Sequence, residues 1–172
     1  RHMQREATAI RRIHVSEQRR FGVARIDAAE QGLDALGYVL PNRVIGAALW
    51  EGLRRVTAVE TFAPAKVTAT GLANDRRTLR IEREGEACEI EARLVVAADG
   101  ARSVIREQAG VAAEHWEYDQ TAIIATLTTQ RFHDHVAYER FTPDGPIAML
   151  PLADGRCGIV WIRRPEEAAR LL

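Results

Sequence analysis

Leu94-Val95-Val96-Ala97-Ala98-Asp99-Gly100-Ala101-Arg102-Ser103-Val104-Ile105-Arg106 decides how this chain is expected to fold. Leu94 to Ala98 is continuously apolar, without the polar/apolar alternation of a half-exposed strand. That pattern belongs to a strand buried on both faces, as in a parallel sheet covered by helices. It ends on Asp99-Gly100, and a helix to about Gly110 is expected to follow. Such a strand delivers Asp99 at its C-terminal end, where open α/β sheets bind ligands. Gly100 permits a sharp turn and a close backbone approach. Ser103 is placed to cap the helix, whose first amides attract phosphate. Arg106, one turn on, is placed to pair with Asp99 or with a phosphate. A carboxylate aimed at ribose hydroxyls beside phosphate-binding amides describes a dinucleotide site. A strand-turn-helix junction with a serine cap and a surface ion pair accounts for the same residues, and both readings stay open on this segment alone.

Upstream, the chain reads as β-rich with one clear helix. Ile10–Val15 and Phe21–Ile26 are joined by the polar Ser16–Arg20 and read as a hairpin. Asp27–Leu36 is a short helix or loop, and Gly37–Leu40 leads into Pro41-Asn42. Asn42 is a good N-cap type, and Ile45, Leu49, Leu53 and Val56 follow at helical spacing, so a helix is predicted from Asn42 to Val56. Val59–Phe62 is a short strand candidate. Lys66–Leu72, Thr78–Glu84 and Glu86–Arg93 read as an antiparallel meander, with Ala73–Arg76 as its first turn.

Downstream, Ile123–Thr129, Val136–Phe141, Pro146–Leu152 and Cys157–Ile162 are four more strand candidates. Asp154-Gly155 is the signal of a two-residue type I′ hairpin. Pairing Ala153 with Arg156 would place Ala148, Leu150, Leu152, Cys157, Ile159 and Trp161 on one face. Ile147, Met149, Val160 and Ile162 would fall on the other. Both faces are apolar, so the second is expected to cover another layer or a greasy ligand. Pro165 opens a last helix, which is still apolar at Leu171-Leu172.

Composition bounds the function. The 172 residues are 47% apolar, ordinary for a globular protein. They contain no apolar run of the roughly 18 residues that a membrane-spanning helix needs. No secretory signal is legible, so a cytoplasmic location is expected. Lys+Arg and Asp+Glu both total 24, which leaves no net field for polyanions, and no nucleic acid partner is expected. Doublets such as Arg54-Arg55 and Arg76-Arg77 read as solvated edges. Cys88 and Cys157 form no metal-ligand spacing, so no metal is expected. His14, His115, His133 and His135 have no partner at general-base spacing. His133-x-His135 reads as a loop or strand edge, and Tyr138, Glu139 and Arg140 receive no chemical role. Arg1-His2-Met3 reads as cloning-site residue.

Asp99-Gly100-x-x-Ser103-x-x-Arg106 after the apolar strand resembles the Asp-Gly motif of class A FAD-dependent aromatic hydroxylases, the para-hydroxybenzoate hydroxylase group. Ile13–Ser16, Leu36–Val39, Asn42-Arg43 with Ala48-Leu49, and Tyr138–Leu152 with Asp154–Cys157 and Val160-Trp161 resemble its ubiquinone-biosynthesis branch, in particular the 2-polyprenyl-6-methoxyphenol hydroxylase type. The resemblance runs from about Ala7 to Leu172. It implies a fragment of the para-hydroxybenzoate-hydroxylase-like fold, α+β and α/β in character, with a mixed antiparallel substrate sheet and part of an FAD-binding lobe. Residues 4–36 and 115–172 would form the substrate lobe, and residues 37–114 the FAD lobe.

By the same resemblance, Asp99, Gly100, Ser103, Arg106, Asn42 and Val67 are cofactor-binding, with Asp99 near the FAD ribose. Met149, Leu150, Pro151 and Trp161 wall the substrate pocket. The implied reaction is hydroxylation of a polyprenylated phenol with NAD(P)H and O2 in ubiquinone biosynthesis. Contact with a membrane surface or a multi-enzyme assembly is also implied. No catalytic side chain is expected, because the cofactor carries the bond chemistry and the protein supplies orientation and a dry cavity. The family's G-x-G-x-x-G turn and its later Gly-Asp motif are absent. An internal segment that holds no FAD and is inactive alone is therefore expected. The competing expectations are an epoxidase or prenyl reductase of the same superfamily, and a non-catalytic module that binds a hydrophobic ligand or a partner.

Overall fold

The computed structural model describes residues 2–172, and Arg1 of the expected cloning-site triplet lies outside them. In chain order the elements are α1 (His2–Glu6), β1 (Thr8–Ile10), β2 (Arg12–Glu17), β3 (Val23–Asp27), β4 (Gly37–Val39) and α2 (Asn42–Arg54). Then come β5 (Lys66–Ala73), β6 (Arg76–Arg83), β7 (Glu86–Ala92) and α3 (Val104–Gln108). The chain ends with β8 (Thr121–Thr128), β9 (Val136–Phe141), β10 (Ile147–Pro151), β11 (Arg156–Arg163) and α4 (Pro165–Leu171). They form two compact units: one runs to Val56 and resumes at Glu117–Leu172, and the other is Thr57–Trp116. Residues 37–56 thus pack with the first unit, whereas the sequence reading grouped them with the Asp-Gly segment.

The first unit is built on a six-stranded sheet of order β3-β2-β9-β10-β11-β8. All neighbours are antiparallel except β2 and β9, which run parallel. β1 and β4 form a separate antiparallel pair. The predicted hairpin of the first strands is present as β2–β3, with Arg12 opposite Asp27 and Ser16 opposite Val23.

α2 occupies the predicted helix, but its start corrects the capping expectation. Pro41, extended at φ −63° and ψ 136°, stands at the N-cap, and Asn42 is already the first helical residue. Proline's fixed φ and missing N–H set the boundary without a side-chain bond. The spaced ridge Ile45, Leu49 and Val56 is exposed, while Val44 is buried.

The second unit is the predicted meander β5-β6-β7 followed by α3. Its turns are true two-residue hairpins. Ala73 pairs with Arg76 across Asn74-Asp75, and Arg83 with Glu86 across Glu84-Gly85. All four turn residues have positive φ, which matches the twist of the flanking strands. Ile81, on the central strand, is its buried apolar residue among the described residues.

Two strand expectations fail in this unit. Val59–Phe62 is irregular. Leu94–Ala98 is irregular too, and Leu94 and Val96 are 77% and 76% exposed. A strand exists by ladder hydrogen bonds to a neighbour. No described strand pairs with 94–98, so the continuous apolar pattern leaves only Val95 half-buried.

Candidate functional site

The Asp-Gly segment closes on itself. One Asp99 carboxylate oxygen (Oδ2) accepts the Val104 N–H at 3.1 Å. Ser103, only 5% exposed, is the N-cap of α3 and accepts the Arg106 N–H at 3.0 Å. The expected serine cap is therefore present, and two of the first amides of α3 are satisfied within the motif. The Ser103 hydroxyl, with the backbone amides of Asp99, Ile105 and Val104, holds the Asp99 carboxyl below the usual carboxylate range; slight desolvation opposes this.

Asp99 is therefore an exposed, ionised acceptor. Gly100 adopts φ +88°, in the left-handed region, with open space around its missing side chain. Arg106 is half-buried, and the expected ion pair between Arg106 and Asp99 does not form among the described residues. Arg106 lines a groove together with Ala101, Ser103, Glu107 and Val111.

A long-range clamp that sequence spacing does not reveal fixes α3 against β5. Gln108 Oε1 accepts the Thr70 N–H at 2.9 Å, and Gln108 Nε2 donates to the Thr68 carbonyl at 3.1 Å. Both bonds fall where β5 shifts register between Val67 and Ala69. β5 is an edge strand, and the glutamine amide engages two of its backbone groups beside the bulge. Val67, half-buried opposite Ile81, stands at the start of this irregularity. The clamp thus brings Val67 and the Asp-Gly helix together, while Asn42 belongs to the other unit.

The four expected pocket residues lie on β10 and β11, in a register that corrects the sequence reading. Met149 is opposite Ile159, Ile147 opposite Trp161 and Pro151 opposite Cys157. Asp154 and Gly155 do adopt left-handed φ, and the Arg156 N–H donates to the Ala153 carbonyl as a type I′ turn requires. The Leu152 N–H, however, also reaches the Arg156 carbonyl at 2.8 Å. Leu152 and Ala153 together oppose Arg156, a one-residue bulge. A one-residue shift transfers a strand's side chains to the other face. Met149, Pro151, Cys157, Ile159 and Trp161 therefore share one face, and Ala148, Leu150 and Val160 share the other. Pro151 is wholly buried, and Met149 and Trp161 are half-buried. The Arg163 guanidinium lies 4.5 Å from the Trp161 ring centre and 3.6 Å from Asp144, so one face of the indole already carries a cation.

Cross-strand pairing extends the Met149 face to residues that had no role in the sequence reading. Tyr138 is opposite Met149, His14 opposite Tyr138, and Arg25 opposite His14. Arg25 Nε donates to His14 Nδ1 at 3.4 Å, and the His14 and Tyr138 ring centres are 5.5 Å apart. A cavity of ≈ 500 Å³ opens there, also lined by Arg12, Asp27 and Glu30. Strand pairing makes these neighbours, and no spacing in one strand announces it. His133 and His135 sit in the turn before β9, as expected of a loop. Among the described residues no group of three potential ligands is placed to hold a metal ion. No helix among them is long and apolar enough to cross a membrane.

Several known proteins resemble this chain. The chain is 35% identical to the 3-demethoxyubiquinol 3-hydroxylase of Escherichia coli, over 84% of its own length and 36% of that protein. It is 38% identical to the ubiquinone hydroxylase UbiL of Rhodospirillum rubrum, over 80% of the chain and 31% of that protein. It spans about a third of the length of these curated relatives. Among solved structures, p-nitrophenol 4-monooxygenase PnpA of Pseudomonas putida superposes with a TM-score of 0.79 at 19% identity, covering 98% of this chain and 46% of that one. PqsL of Pseudomonas aeruginosa, in complex with 2-aminobenzoylacetate, does so at 0.78 and 18%, with the same coverage. The fold is that of these flavin monooxygenases, a mixed α/β architecture with sheets of mixed orientation. Residues 7–170 match the family described as FAD binding domain, and the chain belongs to that family.

Proposed function

We propose that this chain is part of an FAD-dependent monooxygenase that hydroxylates the ring of a polyprenylated phenol in ubiquinone biosynthesis, with NAD(P)H as reductant and O2 as oxygen source. The observation that carries this reading is the 35–38% identity to ubiquinone hydroxylases over four fifths of the chain. Two local features support it. Asp99 offers an ionised, exposed carboxylate beside a glycine with open space around it, which fits a ribose hydroxyl donor. The Met149 face offers an apolar surface of the kind a ring and isoprenoid tail require.

In this reading Asp99 accepts from the ribose of FAD, and Gly100 lets the backbone come close. Ser103 holds the α3 turn in place, and Arg106 would pair with a phosphate. Val67 would contribute from β5, and the assignment of Asn42 rests on the resemblance alone. FAD, when bound, supplies the oxygen activation that no side chain of this chain supplies. The protein's own part is to orient the phenol and keep water off it. Met149 and Trp161 form the wall and Pro151 its floor, whereas Leu150 would touch only a ligand on the opposite face. Lacking any G-x-G-x-x-G turn, these 172 residues alone retain no flavin and do not hydroxylate.

A photoreactive prenylphenol tests the substrate assignment: it is expected to label Met149, Ile159 or Trp161. Labelling confined to Leu150 and Val160 would move the site to the other face, and labelling elsewhere would remove it. An absorption spectrum of the purified chain tests the cofactor assignment, with near one FAD per chain as the contrary outcome.

A further inference from the structure

We propose that His133 is a positioning residue that pins the Leu152–Ala153 bulge and so sets which side chains share the candidate substrate wall. This rests on the reading of the Met149 face as that wall. The bulge gives Leu152 a carbonyl with no place in the ladder between β10 and β11, and His133 Nε2 meets it at 3.0 Å. The other ring nitrogen, Nδ1, accepts the His135 N–H at 3.1 Å. Because an amide can only donate, Nδ1 is the acceptor and Nε2 carries the proton donated to Leu152. Both nitrogens are thereby committed, and the residue is 6% exposed.

The surrounding turn is built for this bridge. Asp134 and His135 adopt φ 48° and 60°, a left-handed pair that aims the His135 amide back at the ring. His135 Nδ1 lies 2.9 Å from the Ala9 carbonyl, which ties the same turn to β1. Phe132 packs beneath the hairpin tip, where a side-chain carbon on Gly155 would lie 3.4 Å from its ring. The turn between β8 and β9 therefore grips the hairpin at one carbonyl and at one glycine.

The consequence follows from the period of a strand. Without the bulge, the same left-handed Asp154-Gly155 turn would pair Ala153 with Arg156, and Met149 would face Val160 in place of Ile159. Trp161 would then share a face with Ala148 and Leu150. The two registers differ by a single residue; the Ile162 N–H bond to the Pro146 carbonyl at 2.9 Å holds the open end of the hairpin in the bulged one, and the His133–Leu152 bond holds it at the tip.

Three variants of the chain decide the matter, read by cross-strand Hα–Hα contacts in NMR and by affinity for a geranylated phenol in detergent-free buffer. His133→Gln keeps a donor near the Leu152 carbonyl and is expected to retain the Met149–Ile159 contact and wild-type affinity within threefold. His133→Asn keeps only the acceptor for the His135 amide. It is expected to lose that contact and at least tenfold in affinity, as is His133→Leu. General destabilisation would lower protection everywhere without separating Gln from Asn. A native register in His133→Leu, or Gln and Asn behaving alike, overturns the proposal, and if His133→Leu does not fold the Gln–Asn pair decides alone. A wild-type chain that fails to bind the phenol, with the register responses as expected, would sink the reading of the wall and leave the pin standing.

Discussion

Ile147–Ile162 and Leu94–Arg106 are both apolar stretches interrupted by an Asp-Gly turn, and they end in opposite states. In the first, β10 lies between β9 and β11, and β11 lies between β10 and β8, so each strand has a hydrogen-bonded neighbour on both sides. In the second, residues 94–98 pair with no described strand, and Leu94, Val96, Ala97 and Ala98 stand exposed. Order resumes at Ser103, where the polar groups of the motif satisfy one another locally. Apolarity selects which residues can be buried, and a partner strand decides whether they are.

The largest effect that would sharpen this contrast is expected at Gly145, on the approach to β10. It has φ +121°, and a side-chain carbon there would run into the Ile162 carbonyl. Gly145→Ala should cost about 3 kcal/mol in urea unfolding, combining backbone strain with overpacking. A loss below about 1 kcal/mol would mean that the hairpin is less tightly held than its ladders imply.

A smaller effect is expected in the second region. Ser103→Ala removes a buried cap and should lower the local stability of α3 by about 1 kcal/mol, seen as faster amide exchange from Val104 to Gln108. Asp99 adds a pH dependence whose sign is fixed. Its carboxyl is held lower in the folded chain than its ordinary 3.8, so its stabilising contribution is complete above that value. It is lost as the pH falls from there through the folded value. Asp99→Asn should abolish this acid-side change in α3 exchange, and an unchanged profile would remove Asp99 from the cap. The smallest effect is expected at Val96, where Lys should change stability by less than about 0.5 kcal/mol because the position is open. A large loss there would reveal a burial that the ladders do not show.

The same contrast explains how much was legible in the sequence. The meander, α2, the serine cap and the four strands after residue 120 were readable because each rests on neighbours a few residues away. The strand at 94–98 was misread because its pattern is necessary but its partner is not encoded locally. The hairpin register was misread because Asp154-Gly155 specifies the turn while the bulge depends on His133, 19 residues upstream. Asn42 was misread as a cap because Pro41 alone suffices. The Gln108 clamp and the Arg25–His14–Tyr138 row link residues that only the folded chain brings together; the clamp spans 38 and 40 positions.

The parallel pairing of β2 with β9 has a consequence for the order of folding. Ser16 and Arg140, which touch across it, are 124 residues apart, and the whole of Thr57–Trp116 lies between them. Closing so long a loop costs entropy before any ladder bond repays it, whereas the β5–β7 meander closes through turns of two residues. On a ribosome the inserted unit can therefore be complete while β2 still waits for its neighbour. Until β9 emerges, the β2 edge of the β2–β3 hairpin is unpaired as well as the β3 edge, which makes that interval the one most exposed to misassembly.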